Sequence, residues 1–171
     1  MITNKLITRT EAREFKDFSK TLNDDVFNSL LLQTQIEDLA PLLGEDLFND
    51  LLENPLKYES LLNGGSYTVN SKSYKNYGLK AVISYYIYAR YTMFGNVKDT
   101  PFGQMVKIAG EGSAEPSQKA KDALYQSNLQ TAFTIWQSVE NYLIRTANVL
   151  FLQKPCYNVR SNNNLKIGMI R

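Results

Sequence analysis

Asp122-Ala123-Leu124-Tyr125-Gln126-Ser127-Asn128-Leu129-Gln130-Thr131-Ala132-Phe133-Thr134-Ile135-Trp136-Gln137-Ser138-Val139-Glu140 carries no charge between its two end residues. Tyr125, Leu129, Ala132, Phe133, Trp136 and Val139 recur at helical spacing and predict the buried side of a long helix. The other side reads Gln126, Ser127, Gln130, Thr131, Thr134, Gln137 and Ser138, flanked by Leu124 and Ile135. A solvated helix face ordinarily carries Lys and Glu. Amides and hydroxyls hydrogen-bond without the cost of stripping water from a charge. The pattern therefore predicts a helix packed on both sides, one against its own core and one against a neighbouring subunit, with Gln126, Gln130, Thr134 and Gln137 at that interface. Pro116 suits the first turn and Pro155 stops the helix. The expected span reaches Leu152, about 37 residues or roughly 55 Å.

Upstream of this segment the periodicity is also helical. Asn23 or Asp24 reads as an N-cap, with Asp24 and Asp25 favourable at a helix start. Phe27, Leu30, Leu31, Gln35, Leu39 and Leu42 continue one stripe, with Ile36 beside it, until Pro41 and Gly44 interrupt it. Leu47, Phe48, Leu51 and Leu52 mark a short helix, and Leu56 to Leu62 another turn or two. Asn63-Gly64-Gly65 signals a turn. Ser66 to Tyr74 has the composition of a small hairpin turning near Asn70-Ser71. From Gly78 to Phe94 the chain is apolar on nearly every side, which predicts a central helix. Met105 to Ala109 is a candidate strand. Thr10 to Phe15 opens a short helix or belongs to an extended arm. The expected fold is mainly α: a helical bundle with a long C-terminal helix, a small β-hairpin insertion and an extended tail. Its divisions are an N-terminal arm or short helix (1–22), a helical domain (23–157) and the tail (158–171). Leu165, Ile167, Met169 and Ile170 alternate roughly, as an extended segment docking on a partner would.

The chain has 171 residues, 43% hydrophobic and 21% charged, enough for one domain with a real core. It has no histidine and one cysteine, Cys156. Ser-His-Asp triads, Cys-His dyads, histidine- or multi-cysteine zinc sites and an intrachain disulfide are thereby excluded. Cys156 reads as a packing residue. The acidic pairs Asp24/Asp25, Glu37/Asp38 and Glu45/Asp46 are sequence neighbours, which diverge by about 100° on a helix and form no obvious dyad. Gly110-Glu111-Gly112-Ser113 lacks the Lys-Ser/Thr ending of a phosphate loop. No enzyme, cofactor or metal is expected. The Val82 to Phe94 run is too short for a membrane span of ~20 residues.

Charge is segregated along the chain. Residues 23–62 hold nine acids and one base, residues 63–109 six bases and one acid, and residues 153–171 four bases and no acid. Such polarity suits head-to-tail contact between identical subunits, or else reflects solvated faces that cancel within the fold. Lys72, Lys75, Lys80 and Arg90 are candidate DNA-facing cations. Beside Tyr85, Tyr86, Tyr88 and Tyr91 they also raise a second reading, a standalone helical nucleic-acid-binding or regulatory module. Those tyrosines point to different sides of one helix, however, which favours core packing.

Several segments occur in a recognisable order: Leu42-Leu43-Gly44 with Leu47-Phe48, Tyr74 with Tyr77-Gly78-Leu79-Lys80, Tyr85-Tyr86-Ile87-Tyr88-Ala89-Arg90-Tyr91, Thr100-Pro101-Phe102-Gly103, Ser113-Ala114-Glu115-Pro116 and Lys154-Pro155-Cys156-Tyr157. From Leu6 to Tyr157 the chain resembles a family of small helical proteins of tailed bacteriophages, the crAss-like phages and relatives, viewed as head–tail connector or adaptor-ring proteins. The resemblance implies a structural virion protein. It implies a ring of identical subunits, twelve to match a portal, that contacts the portal and neighbouring tail proteins at the head–tail junction. Genomic DNA would pass through without sequence-specific contact. The resemblance carries over no catalytic residue.

Overall fold

The computed structural model describes residues 4–20, 22–94, 97–100, 103–106 and 117–153. It is mostly helical, with small antiparallel hairpins and a long helix near the C-terminus, as the periodicity predicts. Helix α1 (Arg9–Ala12) is opened by a reciprocal cap. The Thr8 hydroxyl accepts from the Glu11 N–H, and the Glu11 carboxylate accepts from the Thr8 N–H at 2.8 Å. Helix α2 (Asp24–Thr34) starts at Asn23, whose side-chain oxygen accepts from the Asp25 N–H at 2.9 Å. Pro41 does not break the pattern as its position suggests. The helix widens into a π-turn (Gln35–Leu39) and continues as α3 (Ala40–Leu43). The Ala40 N–H reaches back five residues to the Gln35 carbonyl. The wide turn lies directly before a residue that has no N–H to donate and whose ring clashes with a regular preceding turn. Gly44, at φ 83°, ends the helix.

Helix α4 (Glu45–Glu53) buries Leu47, Phe48, Leu51 and Leu52. A 3-10 turn (Pro55–Tyr58) and α5 (Glu59–Asn63) follow. Strands β1 (Gly65–Val69) and β2 (Lys72–Asn76) pair antiparallel with Tyr67 opposite Tyr74 and Val69 opposite Lys72. Asn70 and Ser71 both have positive φ, 50° and 62°, so the hairpin turns through the two-residue loop that matches strand twist. Its base is closed by two glycines. A Cβ on Gly78 (φ 83°) would lie 2.7 Å from the Leu62 carbonyl oxygen and 2.8 Å from the Gly64 nitrogen. The Asn76 amide sits between them, donating to the Ser60 carbonyl and accepting from the Gly78 N–H, both at 3.0 Å.

Helix α6 (Leu79–Phe94) is the centre of the molecule: no residue from Leu79 to Met93 is exposed. It packs against α1, α2, the π-turn, α5 and the long helix α7 (Gln118–Arg145). Strands β3 (Val97–Thr100) and β4 (Gly103–Val106) form a second hairpin; β4 shares only Met105 and Val106 with the candidate strand Met105 to Ala109, whose last three residues lie outside the described residues. The long helix is shorter than its sequence suggests. It has 28 residues, about 42 Å, and ends at Arg145. Ala147 then takes φ 52°, and Asn148 caps a separate helix α8 (Val149–Leu152). The apolar periodicity runs across this joint, because α8 also turns Phe151 inward against Trp136.

The N-terminal segment joins the same core. Leu6, Ile7, Ala12, Phe18 and Leu22 are buried in one cluster with Phe27, Ile83, Ile87 and Trp136. The buried Gln35 side chain holds the segment in place, donating to the Asn4 carbonyl at 3.2 Å and accepting from the Leu6 N–H at 3.3 Å. Lys80 of α6 meets Glu11 of α1 at 2.5 Å. Burial pushes the Glu11 carboxyl up, but the Lys80 ammonium and the Thr8 donors outweigh it and hold the group at about 2. A carboxyl depressed by folding contributes stability above its unfolded value near 4.3 and loses it as pH falls toward 2. Glu11→Gln is therefore expected to lower the melting temperature at pH 7 by a few degrees and to leave it unchanged near pH 2. The effect stays near ~1 kcal/mol because the carboxylate is over a third exposed and water screens the pair. Equal shifts at both pH values would contradict it.

Candidate functional site

Helix α7 presents two different surfaces. Its buried line is Asn128, Ala132, Trp136, Val139 and Leu143, with Tyr125, Leu129 and Ile135 half-buried. Phe133 does not belong to that line. It lies about 100° around the helix from Ala132 and is 47% exposed, so the sequence assignment to the core is corrected. Small or polar residues at 128 and 132 face the core instead, and Asn128 satisfies its amide within the helix by donating to the Leu124 carbonyl at 2.6 Å.

The opposite side is where the sequence places a subunit contact. Gln126, Gln130, Thr134 and Gln137 are all exposed. Phe133 and Ile144, half exposed, extend the same surface. The Thr131 and Thr134 hydroxyls donate at 2.9 Å to the Ser127 and Gln130 carbonyls of their own helix. The face therefore offers methyl groups, one ring and amides, with the Thr131 and Thr134 hydroxyl protons already used. Charges of both signs border it: Lys119 and Arg145 toward the ends, and Asp122 and Glu140 at helical spacing from Phe133. A surface of this kind can be desolvated against a partner at low cost.

The four candidate DNA-facing cations are not brought together. Lys72 and Lys75 stand exposed on the first hairpin, with the Lys75 ammonium 6.0 Å from the Tyr77 ring centre. Lys80 is paired with Glu11. Arg90 is nearly buried and bridges Glu37 and Asp38 of the π-turn, each at 2.8 Å. Burial raises the Asp38 carboxyl, and the Arg90 guanidinium pulls against that rise. Arg90 thus ties α6 to the π-turn. The tyrosines of α6 are half-buried, with Phe18 edge-on to Tyr88 at 5.3 Å and Lys16 at 4.8 Å from the same ring centre. A further cation lies near the hairpin. Arg145 sits 3.9 Å over the Tyr74 ring and donates to the Tyr67 hydroxyl at 3.2 Å, and Tyr67 meets Tyr142 edge-on. Sequence reading missed it because the contact joins residues 78 apart.

The acidic pairs have structural partners or helix-start positions. Asp24 pairs with Arg9 at 2.7 Å, Glu37 and Asp38 share Arg90, and Glu45 and Asp46 open α4. Among the described residues no group of three or more His, Cys, Asp or Glu side chains is placed to hold a metal ion. No described helix is long and apolar enough to cross a membrane. A cleft of about 350 Å³ lies where Lys57 and Tyr58 meet Tyr142, Asn148 and Val149. Beside it Asp50 accepts from Lys57, Tyr58 and Asn54, which hold its carboxyl at about 2, so its charge is already used within the fold. Cys156, the Gly110–Ser113 segment and the docking residues Leu165, Ile167, Met169 and Ile170 lie outside the described residues.

No curated protein and no solved structure matches the chain. A family model matches residues 39–161, from the π-turn past the end of α8, and covers most of the chain. The chain belongs to DUF6712, a family of unknown function.

Proposed function

We infer that this chain is a structural subunit that assembles with copies of itself through the outer face of α7. Its place is a head–tail connector ring between the portal and the tail of a phage particle, lining the path of the genome. The observation that carries the assembly reading is the α7 face: exposed, about 42 Å long, uncharged between Asp122 and Glu140, and bearing Phe133 and Ile144 in the open. The resemblance of residues 6–157 to connector proteins gives the assembly its location. Lys72 and Lys75, exposed on the hairpin, are the cations of the original four left to meet phosphate without sequence preference. The standalone nucleic-acid module loses support, since Lys80 and Arg90 are committed to intramolecular pairs.

Replacing Gln130 and Gln137 together with Glu tests this reading. Both positions are exposed, so the monomer should fold and melt as before. Assembly should weaken at least tenfold, because each Glu must be desolvated without a partner. Sedimentation over a concentration series reads the outcome. Assembly of the double variant at wild-type strength would make this face ordinary solvated surface.

A further inference from the structure

Among the described residues Arg9, Lys57, Lys80 and Arg90 each pair with a carboxylate, whereas Lys72, Lys75 and Arg145 pair with none and are all exposed. The fold gathers these three at the tip of the first hairpin. Strand β2 runs antiparallel to α7: the Tyr77 N–H donates to the Ser138 hydroxyl at 3.3 Å, and three residues back along the strand the Tyr74 ring lies under the Arg145 guanidinium at 3.9 Å. Three strand residues and seven helix residues each cover about 10 Å. Arg145 is the last residue of α7. Lys72 and the Asn70-Ser71 turn therefore project past the end of the helix, and residues 70–73 are all exposed. Alternation along β2 puts Lys72 on the Tyr74 side with Arg145, and Lys75 on the other side, opposite Ser66. Residues 60–98 contain no acid. Glu59 lies at the base of the hairpin, where Asn76 donates to the Ser60 carbonyl, at the end away from the turn. Glu140 projects about 140° around α7 from Arg145.

We propose that this tip is where the protein meets nucleic acid, with Lys72, Lys75 and Arg145 binding the phosphates of duplex DNA. This deepens the reading of a protein lining the genome's path and rests on it, by naming the element that touches DNA and adding Arg145. Three features argue for it. The three charges have no internal partner, so binding phosphate breaks no ion pair of the fold. The Arg145 guanidinium is held before any ligand arrives: the Tyr74 ring lies beneath it, and the Tyr67 hydroxyl takes one of its five N–H donors at 3.2 Å. A planar fork fixed in this way loses less freedom on meeting a phosphate than a free side chain does. A two-stranded ribbon also fits the major groove of B-DNA, about 12 Å wide. Entering tip first, it presents Lys72 and Arg145 to one wall and Lys75 to the other. Contacts of charge to phosphate carry no sequence information.

The test measures binding of the full chain to a fluorescent duplex of about 30 base pairs and mixed sequence, by anisotropy over a salt series starting near about 20 mM. The variants are Lys72→Gln with Lys75→Gln, Arg145→Gln alone, and Arg13→Gln with Lys20→Gln as a control that removes two exposed cations elsewhere. Melting curves check that each folds; the two lysines are exposed, so their variant reads the contact even if Arg145→Gln loosens the hairpin. The lysine pair should weaken binding at least tenfold and Arg145→Gln severalfold. The slope of log affinity against log salt should fall by about 0.9 for each cation removed. The control should stay within twofold of the wild type. Wild-type binding by a folded lysine variant, or an equal loss in the control, would overturn the proposal. Sedimentation of the same samples separates the two readings. A wild type that assembles but does not bind the duplex overturns the hairpin contact and leaves the assembly reading standing. A wild type that binds through these residues yet stays monomeric at every concentration supports the contact and overturns the assembly reading.

Discussion

Trp136→Ala is expected to destabilise the fold by roughly 3–5 kcal/mol, the cost of emptying a large aromatic site that the backbone cannot collapse to fill. Trp136 is 2% exposed and lies on the buried line of α7 between Ala132 and Val139. Its ring also meets Phe151 at 6.3 Å, edge-on, so it holds α8 against α7 across the bend at Ala147. In a domain of this size the change corresponds to a fall in melting temperature of about 10 °C. Thermal unfolding followed by circular dichroism measures it. A shift of a degree or two would mean that the site repacks and that Trp136 does not anchor the core.

Gly78→Ala carries the second large effect, expected at about 3 kcal/mol or more. Two costs combine there. The φ of 83° is strained for any residue with a Cβ, and that Cβ would collide at 2.7–2.8 Å with backbone atoms of Leu62, Asn63 and Gly64, which cannot rotate away as a side chain could. Gly65→Ala is the control. Gly65 also has a positive φ, but nothing lies within 4 Å of where its Cβ would stand. Gly78→Ala should unfold well below Gly65→Ala in urea. Equal midpoints would show that the hairpin base has slack.

The elements most legible in the sequence were those set by local chemistry. Asn23 capped α2, Asn70-Ser71 turned the hairpin, Leu47 to Leu52 buried their stripe, and the crowded run after Gly78 became the central helix. These depend on residues a few positions apart. The misreadings came from contacts between distant ones. Phe133 and Ala132 fit a helical stripe almost equally well, and only the approach of α6 decides which faces inward. Pro41 read as a stop because nothing local announces a π-turn. The joint at Thr146-Ala147 carries no glycine or proline, so the apolar pattern appeared to run on to Leu152. At the candidate site, the exposure of Gln126, Gln130, Thr134 and Gln137 followed from their spacing. The loss of Lys80 and Arg90 to Glu11, Glu37 and Asp38 did not, since those partners lie 52 or more residues away.

The central claim is that the outer face of α7 is a contact between subunits. A low-resolution image of the assembly that contains this chain, with the chain fitted as a rigid body, tests it most directly. The account predicts a closed ring in which α7 lies at the boundary between adjacent copies, with Gln130 and Gln137 turned toward the neighbour. A ring or particle in which that face points into solvent, with no density against it, would contradict the claim.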